Sequence, residues 1–342
     1  MKVAFYLNVI SPHQLPLARE VVRSVGADNF TYVYVENFLS DRKAMGWDDS
    51  DIPNWCIKGD ENRSELIEAD LLYTGIRCPN LIAKRVQLGK RTYYCSERCF
   101  KPIQFGRFLL PGFLRMILPS YRKMAMDMVE LLNHQLVKYL SCGPWAAMDM
   151  KKIGLNSNQI IPWGYFVEKG KYPEGRLFLG GKLRVLWVGR ISWLKRVDTI
   201  IKAVSNLKNY VELTIVGDGP DKADVQELSK GISVEFISSQ PIEKIREIMR
   251  ENDVFVFSSN AMDGWGAVVN EALEEGMYVI GTKDTGSCAS MLGEEDVYKC
   301  GDWRRLIKLL KGCVEKKIAG ELKGQGIGMW SASEASQRFL AI

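Results

Sequence analysis

The second half of the chain alternates short, continuously apolar segments with one-faced helical segments, and this alternation restricts the folds open to it. "LRVLWVG" (183–189), "VELTIVG" (211–217), "VEFIS" (234–238), "DVFVFSS" (253–259) and "MYVIG" (277–281) read as strands. Between the first two, "VDTIIKAVSNL" puts Val197, Ile200, Ile201, Val204 and Leu207 on one helical face. A helix through Ile242, Ile245, Ile248 and Met249 follows, and "WRRLIKLLKGCV" aligns Trp303, Leu306, Ile307 and Leu310. Strands that are apolar throughout are buried on both faces, and the intervening helices supply the cover. The pattern predicts an α/β fold with a doubly wound parallel sheet.

The first half reads the same way, less clearly. "KVAFYLNV", "FTYVYVE", "ADLLYTG" (69–75) and "RTYYCSE" (91–97) are strand-like, and a longer helix is predicted from about Tyr121 to Tyr139. A chain of 342 residues exceeds what one core usually serves. The stretch "QIIPWGYFVEKGKYPEGRLFLGGK" (159–182) lacks periodicity and is rich in Gly, Pro and charge, so it reads as the inter-domain linker. Two Rossmann-like domains are therefore expected, 1–160 and 161–330, facing a central cleft. Ligands of such sheets sit beyond the carboxyl ends of the strands.

Composition excludes several classes. A hydrophobic fraction of 46% with 25% charged residues is that of a soluble globular protein. The start, "MKVAFYLNVISPHQ", is a short strand rather than a signal peptide, and no apolar run approaches the ~20 residues of a spanning helix. A cytoplasmic location is expected. The eight cysteines are scattered, and "CSERC" has no second pair at zinc-ribbon spacing. With only His13 and His134 to add, no metal site is expected. The net charge of +5 is uneven: 84–123 holds ten Lys/Arg against one acid, Glu97. That block is also greasy, interleaving Arg107, Arg115, Arg122 and Lys123 with Phe108, Leu109, Phe113, Met116 and Ile117. The mixture suits an anionic membrane surface better than a nucleic-acid groove, and no nucleic-acid motif accompanies it. The alternative is a buried helix pair with solvated arginines.

The loops after the strands carry the chemistry. "RISWLKR" follows "VLWVG" and sets Arg190 and Lys195 five residues apart. After "VFVFSS" comes "NAMDGWGAVVNEALEEG", where Gly264 and Gly266 let backbone approach a ligand closely. The helix starting near Ala267 offers unpaired N–H groups and a positive dipole end, a seat for phosphate. Arg190 and Lys195 could add full charges to the same anion. Asp263 and Glu271 would repel phosphate and are expected to point past it, towards hydroxyls. A molecule with sugars on both sides of a diphosphate has that layout. Each of these charges could alternatively be an ordinary solvated one. A nicotinamide enzyme is disfavoured, because "VGDGPDK" lacks the third glycine of the dinucleotide fingerprint.

Taken together and in order, "VGRISWLKRVDTIIKA", "VGDGP" and "SSNAMDGWGAVVNEALEEG" resemble the retaining GT-B glycosyltransferases of group 1 (family 4) type. The match runs over about Ile160 to Leu310, and "ISPHQLPLARE" and "SERCFK" look like a bacterial polysaccharide-biosynthesis subgroup. The resemblance implies a peripheral or cytoplasmic hexosyltransferase taking a nucleotide-diphosphate-sugar donor and a glycan or lipid-linked acceptor, without cofactor or metal. It implies that Arg190 and Lys195 clamp the diphosphate and that Glu271, the second acid of the E-x7-E pattern, holds the ribose. Asp263 would contact the donor sugar, and the backbone of Gly264, Trp265 and Gly266 the β-phosphate. Gly189 and Ala267 complete the donor side. Acceptor-side candidates are His13, Glu97 and Arg98, each alternatively structural; His134 reads as structural. A closing helix over 331–342 would pack back on the first domain.

The sequence departs from the family in four places: Asp263 for a Glu, Tyr278 for a proline, Ser290 for an acid, and "PWG" (162–164) for Pro-Asn-Gly. Two other readings stay open: a catalytically silent nucleotide-sugar-binding subunit, and another GT-B enzyme such as an epimerase or phosphorylase. The basic block 84–123 would dock the chain on the inner face of the cytoplasmic membrane.

Overall fold

The computed structural model describes residues 1–37, 52–106, 108–171, 175–326 and 328–341. These fall into two compact units: 1–167 with the C-terminal segment from Trp330 in one, and 168–329 in the other. The change of unit at 167/168 lies seven residues beyond the expected one.

In chain order the first unit carries β1 (Val3–Leu7), α1 (Leu15–Val25), β2 (Phe30–Tyr34), β3 (Cys56–Lys58), α2 (Ser64–Glu68) and β4 (Leu71–Thr74). It continues with α3 (Pro79–Gln87), β5 (Arg91–Ser96), β6 (Ile103–Phe105), β7 (Phe108–Leu110), α4 (Pro119–Leu132), β8 (Val137–Cys142), α5 (Pro144–Lys152) and β9 (Ile160–Trp163). Seven strands form one sheet in the order β3-β2-β1-β4-β5-β8-β9. Every pairing in it is parallel. Three of these strands were hidden in the sequence. β3 is short, β9 lies in the segment read as linker, and β8 lies in the helix expected to reach Tyr139. That helix, α4, stops at Leu132, and the Asn133–His134 turn leads into "VKYLSC", a buried central strand. His134 sits in the turn, where its Nδ1 accepts from the Leu136 N–H at 3.2 Å.

The second unit carries β10 (Leu183–Val188), α6 (Val197–Ser205), β11 (Val211–Val216), α7 (Lys222–Leu228), β12 (Val234–Ile237), α8 (Ile242–Glu251) and β13 (Val254–Phe257). Then follow α9 (Val268–Glu274), β14 (Tyr278–Thr282), α10 (Gly286–Met291), β15 (Val297–Tyr298) and α11 (Trp303–Ile318). Its six-stranded sheet runs β12-β11-β10-β13-β14-β15, again all parallel. This is the doubly wound order, with a switch of winding direction between β10 and β13. β10 and β13 are buried nearly throughout because helices cover both faces.

A last helix, α12 (Ala332–Ala341), belongs to the first unit and lies along α1. Its Phe339 is fully buried, with its ring 5.7, 6.0 and 5.2 Å from those of Phe5, Tyr73 and Tyr93. Burying such a side chain stabilises by about 2 kcal/mol or more.

The basic block differs from both sequence readings. It contains an antiparallel hairpin, β6 with β7, then a 3₁₀ segment over Gly112–Ile117 and α4. Arg107 lies outside the described residues. Several of its cations are not free surface charges. Lys90 pairs with Asp70 at 2.8 Å, Lys101 with Glu97 at 2.6 Å and Lys123 with Asp127 at 2.8 Å. Arg85 is fully buried, and its guanidinium donates to the carbonyls of Leu66, Ile67, Ala69 and Arg91 and to Thr92 Oγ1. Burial pushes its pKa down to about 10, which leaves it charged at neutral pH. Arg85→Met would strand those carbonyls in the core. We expect it to destabilise by about 3 kcal/mol, read as a lowered denaturation midpoint; a wild-type midpoint would show that the carbonyls find other donors.

Candidate functional site

In the second unit the loops that bear the sequence motifs leave the carboxyl ends of β10, β11 and β13, beside the switch point. The first two are held by backbone contact. Gly189 N–H donates to Val216 O at 3.0 Å and Ile191 N–H to Asp218 O at 2.9 Å. A Cβ on Gly217 (φ +141°) would stand 1.9 Å from Gly189 O, and one on Gly219 would stand 2.1 Å from Ile191 O. The glycines of "VGDGP" are thus required by packing between loops, a signal that the sequence could show only as a motif.

The loop after β10 is also tied to the loop after β13. Ser258 Oγ accepts from the Trp187 indole at 3.2 Å and donates to Lys195 O at 2.6 Å. Asn260 N–H donates to Leu194 O at 3.0 Å. This brings the Lys195 ammonium onto the Asp263 carboxylate as an ion pair, with roughly a quarter of each side chain exposed (29% and 23%). The ammonium also stands 5.9 Å from the centre of the Phe257 ring. The sequence reading expects Asp263 to point past a phosphate towards hydroxyls; in the structure it pairs with the cation of the neighbouring loop, an attraction that partial burial strengthens. Arg190, on the same loop as Lys195, is exposed and has no ion-pair or hydrogen-bond partner among the described residues.

The glycine turn is fixed from behind. Gly286 N–H donates to Gly264 O at 3.0 Å, and Ser287 donates to Trp265 O through N–H (3.2 Å) and Oγ (2.6 Å). These bonds occupy the carbonyls of the turn, while the N–H groups of Gly264, Gly266 and Ala267 have no acceptor among the described residues. Gly266 sits at φ +94°, and a Cβ there would meet the Phe257 ring at 2.5 Å, so only glycine fits. The Trp265 side chain is fully buried, with Nε1 donating to Asn270 Oδ1 at 2.8 Å, which leaves its backbone as the part that could meet a ligand, as the sequence reading expects. Glu271, on α9, is buried to 7% exposure rather than solvated. α9 ends as the sequence suggests, with Gly276 at φ +67° and Met277 N–H returning to Ala272 O at 3.0 Å.

The four departures have structural accounts in part. Tyr278 is buried and its hydroxyl donates to Asp296; burial first, then this acid, raise its pKa far above the ordinary tyrosine value. Ser290 Oγ donates to Gly286 O at 2.8 Å within α10. Trp163 is a core residue of the first unit, with its ring 5.4 Å from Phe166 and 5.6 Å from Trp330.

In the first unit, His13 follows β1, Glu97 follows β5 and Tyr165 follows β9, all at carboxyl ends of one parallel sheet. Tyr165 hydroxyl donates to Glu97 Oε1 at 3.0 Å, and its ring lies parallel to that of His13, 6.2 Å away. Burial, then Cys142 and Glu97, hold the phenol pKa well above its usual value, so it remains a donor. Reading 159–182 as linker concealed Tyr165; the strand-like "QIIPW" just before it was the available signal. Arg98 does not join this group. Its Nε stands 3.6 Å from the buried Asp149 carboxylate, which also accepts from Phe100 N–H at 2.9 Å, so the ion pair is part of the core. Among the described residues no group of three His, Cys, Asp or Glu stands where it could hold a metal ion. No helix among them is long and apolar enough to cross a membrane.

Two parallel-sheet units of this kind, with a C-terminal helix returning to the first, define a GT-B fold. The structure is similar over its whole length to Anabaena HepE in complex with UDP (TM-score 0.65, 14% identity, 100% of this chain and 95% of that one). It is equally similar to apo WaaB, a lipopolysaccharide outer core galactosyltransferase (TM-score 0.64, 15% identity, 100% and 95%). Residues 169–322 match the family model described as glycosyl transferases, group 1. The sequence is similar to the sulfoquinovosyl transferase SQD2 of Arabidopsis thaliana, 28% identical over 117 residues, or 34% of this chain and 22% of that protein. It is also similar to the phosphatidylinositol N-acetylglucosaminyltransferase gpi3 subunit of Schizosaccharomyces pombe, 26% identical over 148 residues, or 41% and 31%. The matches thus span less than a third of either curated relative, and the resemblance drawn from the motifs holds for the second unit.

The packing makes two substitutions separable. Gly217→Ala should cost more than about 2 kcal/mol through its backbone clash. Asp263→Asn should cost under about 1 kcal/mol, because the pair is part-exposed. Denaturation midpoints check both, and equal losses would contradict the loop contact.

Proposed function

We propose that the chain is a retaining glycosyltransferase of hexosyl type, moving a sugar from a nucleotide-diphosphate-sugar to a glycan or lipid-linked acceptor in cell-surface polysaccharide or glycoconjugate assembly. The observation that carries this is the meeting of Lys195, Asp263 and the unaccepted N–H groups of Gly264, Gly266 and Ala267 at the switch point of the second unit. A diphosphate placed there would take the N–H groups at its oxygens and draw Lys195 and Arg190 to its charge. Asp263 holds the Lys195 ammonium at the mouth of the turn and would be released to the donor sugar when phosphate takes the cation. Glu271 would accept from the ribose hydroxyls.

When the glycosidic bond breaks, negative charge grows on the leaving phosphate. Cations and N–H groups already aimed at it need no reorganisation, and in this reading the chain's own groups meet that charge rather than a metal ion. The acceptor would then attack from the face the phosphate leaves, which retains configuration, and the phosphate can take its proton. His13, Glu97 and Tyr165 in the first unit are the acceptor-side groups of this proposal. A lipid-linked acceptor would place the work at the inner face of the cytoplasmic membrane.

Solved structures of similar fold contain UDP and UDP-glucose, so uridine donors head the panel to test. A bound donor at a hundred times its Kd should stabilise by about 2.7 kcal/mol, read as a thermal shift. Arg190→Ala and Lys195→Ala should each lower turnover about 10² to 10³-fold with an unchanged circular dichroism spectrum. Near-normal activity in either variant would remove the assignment. Tight binding of the donor with no transfer or hydrolysis would favour the silent nucleotide-sugar-binding subunit.

A further inference from the structure

We infer that the β6–β7 hairpin and the 3₁₀ segment after it form an apolar wedge that enters the headgroup region of an anionic phospholipid bilayer. Of the 16 large apolar side chains that are exposed among the described residues, seven fall within 105–118. Phe105 and Phe108 face each other as register partners at the end of the hairpin, each 76% exposed, and Ile117 is 75% exposed. Single exposed apolar residues are common on soluble proteins, but a concentration of this kind marks an interaction surface. Phe113 packs edge-on against the buried Phe100, with ring centres 5.1 Å apart, and so is partly a core contact. Phe100, just before the hairpin, is buried, whereas the two hairpin phenylalanines stand off the fold.

Charge selects the partner. From Arg98 to Met126 the sequence has no Asp or Glu at all. Arg122 is exposed at the start of α4 and its guanidinium has no partner among the described residues, while Arg115 is spent on the Lys101 carbonyl. An apolar surface on an acid-free stretch, with the exposed Arg122 beside it, fits a bilayer of anionic lipid, where aromatic rings settle among the headgroups and the cation meets a phosphate. A second copy of the same acid-free stretch would bring no carboxylate to Arg122 and is disfavoured for that reason. The inference deepens the proposed function by supplying the membrane at which a lipid-linked acceptor would be met. It does not depend on the chemistry at Lys195.

The test is co-sedimentation of the full chain with vesicles of phosphatidylcholine containing phosphatidylglycerol, against vesicles of phosphatidylcholine alone. The wild type should pellet with the anionic vesicles preferentially. The variant carrying Phe105→Ser and Phe108→Ser should bind them about tenfold or more weakly. Arg122→Glu should lose about fivefold on anionic vesicles and nothing on neutral ones. Both variants should keep the wild-type denaturation midpoint, since the altered side chains are exposed. Equal pelleting with the two vesicle types, or wild-type binding by the serine variant, overturns the wedge. So does a dimer seen by light scattering that the serine variant abolishes, because the surface would then serve a second copy. Failure of donor binding with vesicle binding intact would instead overturn the proposed function and leave the wedge standing.

Discussion

The loops after β10 and β11 touch backbone to backbone, with Gly217 against Gly189 O and Gly219 against Ile191 O at separations no side chain could enter. Hydrogen bonds in both directions lock that contact. The far end of the loop held in this way is tied to the segment after β13 by Ser258 and Asn260. Lys195 therefore reaches Asp263 from a fixed base. The chemistry proposed for the second unit rests on this succession of short contacts, each of which needs the one before it.

A parallel sheet buried on both faces has few places for polar chemistry. Its strands and the inner sides of its helices are apolar, and its carboxyl ends are where loops open. At the switch point the loops after β10 and β13 are tied together, and there the Lys195–Asp263 pair and the bare N–H groups of the glycine turn are found. The carbonyls of that turn are bound from behind by Gly286 and Ser287, so its amides are the groups left to a ligand. The ion pair is only part-buried, so an anion can exchange with the Asp263 carboxylate at modest cost. A cation held this way is both oriented and available.

The first unit uses the same geometry differently. Tyr165 joins Glu97 by a hydrogen bond and lies beside His13, so three strand ends contribute to one polar cluster. Arg98, adjacent to Glu97 in sequence, is drawn the other way to the buried Asp149. An isolated carboxylate there would be costly, and the raised pKa of Asp149 records that burial. Neighbours in the chain thus belong to the polar cluster and to the core respectively. The hairpin and its exposed phenylalanines add a third surface, governed by solvent rather than by packing.

The residues alone determined the fold class, the five longer strands of the second unit, the stop of α9 at Gly276 and the loops that carry the candidate site. These follow from local physics: apolar runs bury on both faces, and glycine tolerates conformations that other residues do not. The sequence reading misses β8 because it runs the preceding helix into that strand's first residues, and β9 because that strand lies in the segment read as linker; which strands pair with them is decided only by folding. Nor could it separate equal charges. Arg85 in the core, Arg98 on Asp149 and Arg190 in solvent share one side chain, and only the tertiary structure decides which carbonyls, carboxylates or waters surround each. Tyr165 stands beside Glu97 for the same reason: burial and partners are properties of position in space, and the chain fixes them only by folding.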